Sequence, residues 1–306
     1  MAKKDQDTPL MITILGPTAT GKTTLAAQLG AAMNGEIISA DSRQVYRGMN
    51  LGTGKDYDDY LVHGEMIKYH LVDIAYPGYE YNLYEFQQDF IKCFKDITSR
   101  NKLPILCGGT GMYLEAVLKG YKLANVTKNI KLRLELEGKS LKQLNIILHN
   151  YRNVHNTTDS TDRERTIRAI EIADFHNRNP QSENDFPKIG YKIFGLHFER
   201  EVIRHRITQR LKQRLESGMV EEVEGLLANG LVPAQLTFYG LEYRYITDYV
   251  TGKISYTEMF RLLNTAIHQF AKRQMTWFRR MEKRGFKIIW IDGNLPIEKK
   301  LEIISR

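Results

Sequence analysis

An α/β fold is predicted for this 306-residue chain: a phosphate-loop core with a mainly parallel sheet flanked by helices, plus an all-helical insertion. Three observations predict it. A complete G-x-x-x-x-G-K-T pattern, Gly16-Pro17-Thr18-Ala19-Thr20-Gly21-Lys22-Thr23, directly follows a short apolar run. The first ~120 residues alternate short apolar runs with helical patterns, as strands joined by crossover helices do. From residue 122 to 187 the apolar runs give way to charged segments of helical period.

The elements follow in order. Leu10–Leu15 is apolar throughout and reads as a buried strand, and Thr24–Met33 reads as the helix after the loop. That strand–loop–helix context is what a true phosphate loop requires. Glycines let backbone N–H groups turn in around phosphate oxygens, and the helix N-terminus adds positive potential. Lys22 supplies a cation, and the Thr23 hydroxyl is the type of group that ligates magnesium. A glycine turn closing a strand–helix unit would not need Lys22 and Thr23 together.

Further strands are expected at 36–39, 69–74 and 103–107, the last followed by Gly108-Gly-Thr-Gly111. Ligands of open α/β sheets bind at the carboxyl ends of strands. The loop, Asp41 and Thr110 each follow a strand, so they can converge on one crevice. Helical periodicity covers Lys128–Asn150 and Ser160–Asn177, and the polar connector Asn179–Pro187 has turn chemistry. Tyr191–Phe198 reads as a returning strand. Helices are expected at 200–217, 219–229 and 255–284, with a last strand at 287–291. The expected organisation is a first core part, 1–121, a helical insertion, 122–187, and a second core part, 188–306, with a basic C-terminal helix.

Composition narrows the class. The net charge of +8 suits a polyanionic partner. The opening Met1–Asp7 carries charges and no apolar core, so no signal peptide is expected. No apolar run approaches the ~20 residues of a membrane span. Cys93 and Cys107 are the only cysteines, too few for a four-cysteine metal site, and a cytoplasmic location is the expectation.

A phosphate loop alone specifies no reaction. Asp41 heads Asp41-Ser42-Arg43-Gln44-Val45-Tyr46-Arg47-Gly48-Met49. From its position it is a general base, a metal-shell carboxylate, or a turn or helix N-cap aspartate. Ser42, Arg43 and Gln44 add groups suited to a base edge or a phosphate.

Four blocks taken in order carry a resemblance: the loop Gly-Pro-Thr-Ala-x-Gly-Lys-Thr, the run from Asp41 to Thr53, Gly108-Gly-Thr-Gly-Met-Tyr113, and Ala271-Lys-Arg-Gln-Met-Thr-Trp277-Phe-Arg279. Together they resemble the tRNA dimethylallyltransferase (tRNA isopentenyltransferase) family, bacterial type, over residues 10–290. The resemblance implies that dimethylallyl diphosphate and Mg2+ bind at residues 16–23. It implies that the exocyclic amine of the adenosine 3′ to the anticodon attacks the allylic carbon, giving isopentenyladenosine in tRNA. In this scheme Asp41, Thr23 and Arg210 are catalytic, with Asp41 taking the amine proton and Thr23 the metal. Arg206 and Arg210, four apart on one helical face, resemble the family's diphosphate arginines, and Arg210 is preferred.

The tRNA side is expected to receive a flipped base. Asp41, Ser42, Arg43, Gln44 and Thr110 would hold it, and Arg133, Arg165 and Arg168 resemble anticodon-arm contacts. The last two stand three apart beside Glu164 and Glu171, so a salt-bridged surface is the competing account. Lys272, Arg273 and Gln274 match the family's Lys-Arg-Gln and are expected to meet RNA. Trp277 and Phe278 are aromatics interleaved with cations, a pattern of RNA stacking or of an amphipathic helix core. Gly240-Leu-Glu-Tyr243 departs from the family's Gly-Tyr-x-Glu. The expected partners are the tRNA anticodon arm and dimethylallyl diphosphate, with no membrane, for a monomer. The rivals are an adenine-nucleotide prenyltransferase, a small-molecule P-loop kinase and a nucleotide-sensing RNA-binding switch.

Overall fold

A computed structural model describes residues 10–151, 162–179 and 186–306. The Met1–Asp7 segment and most of the 179–187 connector lie outside the described residues, as do the first two positions of the 160–177 helix. By contacts the chain divides into Met1–Tyr121 with Pro187–Arg306, and Lys122–Phe186.

In the larger unit, β1 (Leu10–Leu15), α1 (Lys22–Ala32) and β2 (Gly35–Ser39) come first. A small hairpin, β3 (Leu61–Val62) with β4 (Glu65–Met66), precedes β5 (Tyr69–His70). Then come α2 (Leu83–Ser99), β6 (Leu103–Gly108) and α3 (Gly111–Leu118). Six strands pair in the order β5-β2-β6-β1-β7-β8, where β7 is Gly190–His197 and β8 is Ile288–Asp292. Every pairing in this sheet is parallel. A parallel sheet covered on both faces needs strands apolar on both sides, and β1 is buried from Met11 through Leu15. On one face α1 and the C-terminal helix pack Leu25, Leu29 and Ile304 onto Ile12, Ile14, Ile37 and Ile105. Near α2 and α3, Phe86 stacks on Tyr113 with ring centroids 3.9 Å apart.

The strand expected over 69–74 is shorter. Only Tyr69 and His70 pair with β2, because Leu71 (φ 63°) and Asp73 (φ 55°) turn left-handed. That turn places the Asp73 carboxylate on the buried Lys55 ammonium and under the Tyr57 hydroxyl at 2.6 Å.

The smaller unit contains, among its described residues, α4 (Ile130–Leu136), α5 (Leu141–Asn150) and α6 (Arg163–Arg178) around Leu136, Leu144, Leu148, Ile167 and Ile170. The helical stretch 128–150 is thus two helices. Ser140 and Gln143 form a capping box that starts a new helix, and the Arg163 guanidinium takes the Leu136, Glu137 and Lys139 carbonyls that end the first.

The rest of the larger unit is a helical layer: α7 (Arg200–Glu216), α8 (Met219–Ala228), α9 (Pro233–Leu236), α10 (Leu241–Val250), α11 (Tyr256–Lys283) and, after β8, α12 (Ile297–Ser305). Ile207, Leu211, Met219, Val223, Tyr243, Leu263 and Ile267 form its core with Val45, Tyr46 and Met49. The segment after β2 is therefore clamped by helices from the far end of the chain. No helix among the described residues is long and apolar enough to cross a membrane.

Candidate active site

The phosphate loop sits between the end of β1 and the start of α1. Two of its residues are left-handed, Ala19 at φ 63° and Gly21 at φ 75°. A non-glycine residue held there marks strain that the surroundings enforce. Thr20 Oγ1 donates to the Pro17 carbonyl at 2.8 Å, and Lys22 Nζ donates to the same carbonyl at 2.7 Å. Burial, with the charge of Arg210 adding, draws the Lys22 ammonium down to about 8; Asp41 and Asp59 act against it. Asp59 also accepts a hydrogen bond from Thr24 Oγ1 at 2.8 Å. The Thr23 hydroxyl has no hydrogen-bond partner among the described residues.

A stripe of arginines on α7 faces this loop. Arg206, Arg210 and Arg214 recur every fourth residue and share one helix face. Arg206 Nε donates to the Ala19 carbonyl at 2.9 Å while its guanidinium lies 4.7 Å from the Phe198 ring centre. Arg210 donates to the Thr18 hydroxyl; burial and the neighbouring Arg214 pull it to about 10, so it remains charged at neutral pH. Both expected arginines thus contact the loop. Arg214 forms a forked pair with Asp56 at 2.7 and 3.0 Å. Extending the i, i+4 spacing one step past Arg210 would have found it.

The second wall comes from the ends of β2 and β6. Asp41 is half-buried, and one of its oxygens accepts the Arg43 N–H at 2.9 Å. The other oxygen has no hydrogen-bond partner among the described residues. Thr110 holds this segment: its N–H donates to Ala40 at 3.2 Å and its hydroxyl accepts from the Ser42 N–H at 3.1 Å. Gln44 donates to the Gly54 carbonyl at 3.0 Å, and Arg43 lies over Phe238 at 5.2 Å. The loop 50–52 is itself anchored by Glu222, which accepts the N–H groups of Asn50, Leu51 and Gly52 at 2.8, 2.8 and 3.0 Å and the Tyr243 hydroxyl at 2.6 Å. No sequence motif announces Glu222, since its partners, three backbone N–H groups and the Tyr243 hydroxyl, lie far from it in the chain.

On α11, Lys272 and Arg273 are exposed, whereas Gln274 is buried and points to the loop. Phe278 is fully buried in the core. Trp277 is half-buried, carries Arg280 3.9 Å above its ring, and fills the space where a Cβ on Gly111 would stand 2.3 Å away. In the smaller unit, Arg133 forks onto Glu171 at 2.8 and 3.1 Å, and Arg168 joins it at 3.1 Å. Burial opposes ionisation of Glu171, but these hydrogen bonds and that of the Asn129 N–H outweigh it and hold the carboxyl below its usual range. Arg165 is exposed and has no side-chain partner among the described residues. A cleft of about 750 Å³ lined by Tyr76, Tyr79, Tyr81 and Tyr84 opens beside the start of α2 and does not include the phosphate loop.

Among the described residues no cluster of three His, Cys, Asp or Glu forms a metal cage. Magnesium is usually held by one or two protein ligands together with substrate phosphates, and the free Thr23 hydroxyl at the helix start fits that arrangement.

Comparison with known proteins gives this geometry its context. The IPP transferase family model matches residues 44–281, and the isopentenyl transferase model matches residues 10–69. A tRNA dimethylallyltransferase 2 of Bacteroides fragilis is 56% identical over 296 residues, covering 97% of each chain. The chain belongs to the tRNA dimethylallyltransferase family. It is a transferase of that family. A tRNA dimethylallyltransferase 1 of Porphyromonas gingivalis is 54% identical over 97% of this chain and 98% of its own. The crystal structure of a tRNA isopentenylpyrophosphate transferase from Bacillus halodurans superposes with a TM-score of 0.71 at 30% identity, covering 98% of this chain and 95% of that one. A eukaryotic dimethylallyltransferase acting on tRNA shares the fold, with a TM-score of 0.75 at 22% identity over 93% of this chain and 74% of that one.

Proposed function

We propose that the protein transfers the dimethylallyl group of dimethylallyl diphosphate to the exocyclic amine of the adenosine 3′ to the anticodon in tRNA. The observation that carries this reading is a carboxylate with an open oxygen, Asp41, on a segment that Thr110 and the Gly109–Gln274–Thr18 bridge tie to the cationic phosphate loop. The reaction needs both: a cradle for a departing polyanion and an acceptor for the proton of the attacking amine.

The diphosphate binds against residues 16–23, with Lys22, Arg206 and Arg210 turning from the loop's own oxygens onto phosphate oxygens. Their present partners are two carbonyls and two hydroxyls, neutral oxygens that a phosphate anion displaces because ion–ion hydrogen bonds to these cations are stronger. Magnesium, when bound through Thr23 and the diphosphate, supplies further neutralisation of the leaving group. The adenosine is flipped from its stack, and its amine donates to the open oxygen of Asp41. As the amine nitrogen forms its bond to the allylic carbon, the carbon–oxygen bond to diphosphate breaks and the amine proton passes to Asp41. A carboxylate also selects an amine donor over a carbonyl, which favours adenine. Ser42, Arg43, Gln44 and Thr110 line the acceptor side. Lys272 and Arg273 on α11 and Arg165 on α6 contact RNA phosphates, and Arg133 and Arg168 reach RNA only from their ion pairs with Glu171. The protein acts as a monomer in the cytoplasm.

The test is mass spectrometry of tRNA nucleosides after incubation of purified protein with Mg2+ and dimethylallyl diphosphate, with free AMP as a parallel acceptor. Isopentenyladenosine in tRNA is the expected product. Prenylated AMP with unlabelled tRNA would reverse the assignment.

A further inference from the structure

We propose that Gln274 is a positioning residue that holds the phosphate cradle at a set distance from the base-accepting wall, and not a contact to tRNA. It rests on the prenyl-transfer reading above. Gln274 lies on α11 and is 8% exposed. Its Oε1 accepts the backbone N–H of Thr18 at 2.8 Å, and its Nε2 donates to the Gly109 carbonyl at 2.9 Å. One partner is a donor and the other an acceptor, so the network fixes which way the amide points.

The two ends lead to the two halves of the reaction. Thr18 is in the phosphate loop, and its hydroxyl is held by Arg210. Gly109 is followed by Thr110, whose N–H and hydroxyl hold Ala40 and Ser42 on either side of Asp41. A single buried amide therefore links the diphosphate side to the proton acceptor. Gly109 is shaped for it: a Cβ there would stand 2.5 Å from Gln274 Nε2 and 3.3 Å from the Gly16 carbonyl oxygen. The first is a clash that would push the Gln274 amide away, and the second is a tight contact. Misplacement of reacting groups by about 1 Å costs on the order of 100-fold in rate, so a spacer of this kind acts on turnover. Gln274 also occupies the Thr18 N–H, a donor that the loop would otherwise offer to phosphate; losing the amide therefore does not weaken diphosphate binding.

The experiment compares Gln274→Ala and Gln274→Glu with the unaltered enzyme, measuring kcat, the Kd of tRNA and the Kd of dimethylallyl diphosphate. Gln274→Ala is expected to lower kcat about tenfold or more while both dissociation constants stay within about twofold. Gln274→Glu carries the sharper readout. Its carboxylate accepts from Thr18 but has nothing to donate to Gly109; its protonated form does both. The Thr18 N–H and the Arg210 guanidinium on Thr18 favour the charged carboxylate against burial, so Gln274→Glu should lose kcat about tenfold or more with the Kd of tRNA within about twofold. Normal kcat in Gln274→Glu, which cannot donate to Gly109 when charged, would reduce Gln274 to ordinary packing and overturn the proposal, even if Gln274→Ala fails to fold. A tenfold weaker Kd for tRNA with unchanged kcat would return Gln274 to the RNA surface. Absence of prenylation by the unaltered enzyme would instead overturn the reaction assignment itself.

Discussion

Glu222→Ala tests how the acceptor wall is built. The carboxylate accepts three backbone N–H groups, from Asn50, Leu51 and Gly52, and the hydroxyl of the fully buried Tyr243. Removing it leaves four donors without their acceptor. An orphaned buried donor costs about 1–3 kcal/mol. The site is partly buried, so water recovers some of that, and a total of about 4 kcal/mol is the expectation. For a unit of roughly 150–250 residues, each kcal/mol lowers Tm by about 2–4 °C. Thermal unfolding followed by circular dichroism should therefore show a drop of roughly 8–16 °C. Glu222→Gln keeps one acceptor oxygen and should fall about halfway, and Tyr243→Phe should cost about 1 kcal/mol. Amide exchange at residues 50–52 should accelerate in step, and turnover should decline because this loop presents the Gly54 carbonyl to Gln44. A Glu222→Ala protein with Tm within about 2 °C of the original, and with protected amides at 50–52, would refute the reasoning.

Three further outcomes follow from the site. Asp41→Asn keeps an acceptor for the Arg43 N–H but cannot take a proton, so kcat should fall about 10²–10⁴-fold with tRNA affinity nearly intact; single-turnover kinetics with filter binding measures both, and near-normal turnover removes Asp41 as the base. Lys22 binds diphosphate only when protonated, and its pKa of about 8 means that affinity is full below that pH and lost above it. The Kd of dimethylallyl diphosphate should rise roughly tenfold between pH 7 and pH 9, and Lys22→Arg should flatten the profile; a flat profile in the unaltered enzyme contradicts the assignment. Replacing Lys272 and Arg273 together by Ala should weaken tRNA binding and reduce the slope of log Kd against log salt by about 1.5, and an unaltered slope places these cations off the RNA.

The fold was largely legible in local pattern. A strand buried on both faces is apolar along its buried length, so the runs at 10–15, 103–107 and 191–198 stood out, and they correspond to Leu10–Leu15, Leu103–Gly108 and Gly190–His197. The strand at 69–74 was overestimated because apolar residues continue past His70 while the backbone turns at Leu71 and Asp73. That turn answers to Lys55, a partner many residues away. The helices of the insertion were visible as charged helical period, but that period masked their division at Ser140, which the Ser140-Leu-Lys-Gln143 capping pattern marks locally.

The sequence by itself determined the phosphate loop, because a backbone cradle needs glycines, a lysine and a threonine at fixed local spacing. It also determined the family and the order of the blocks that carry it. Only the tertiary structure decided which way each polar side chain faces. Lys272, Arg273 and Gln274 are neighbours in the chain, yet successive residues on a helix point about 100° apart, and the third turns inward to bind Thr18 and Gly109. The same holds for Glu222 and Arg214, whose partners are brought to them by packing of the helical layer against the loop after β2. Distance along the chain carries no record of such meetings, so burial and hydrogen-bond geometry alone could reveal them.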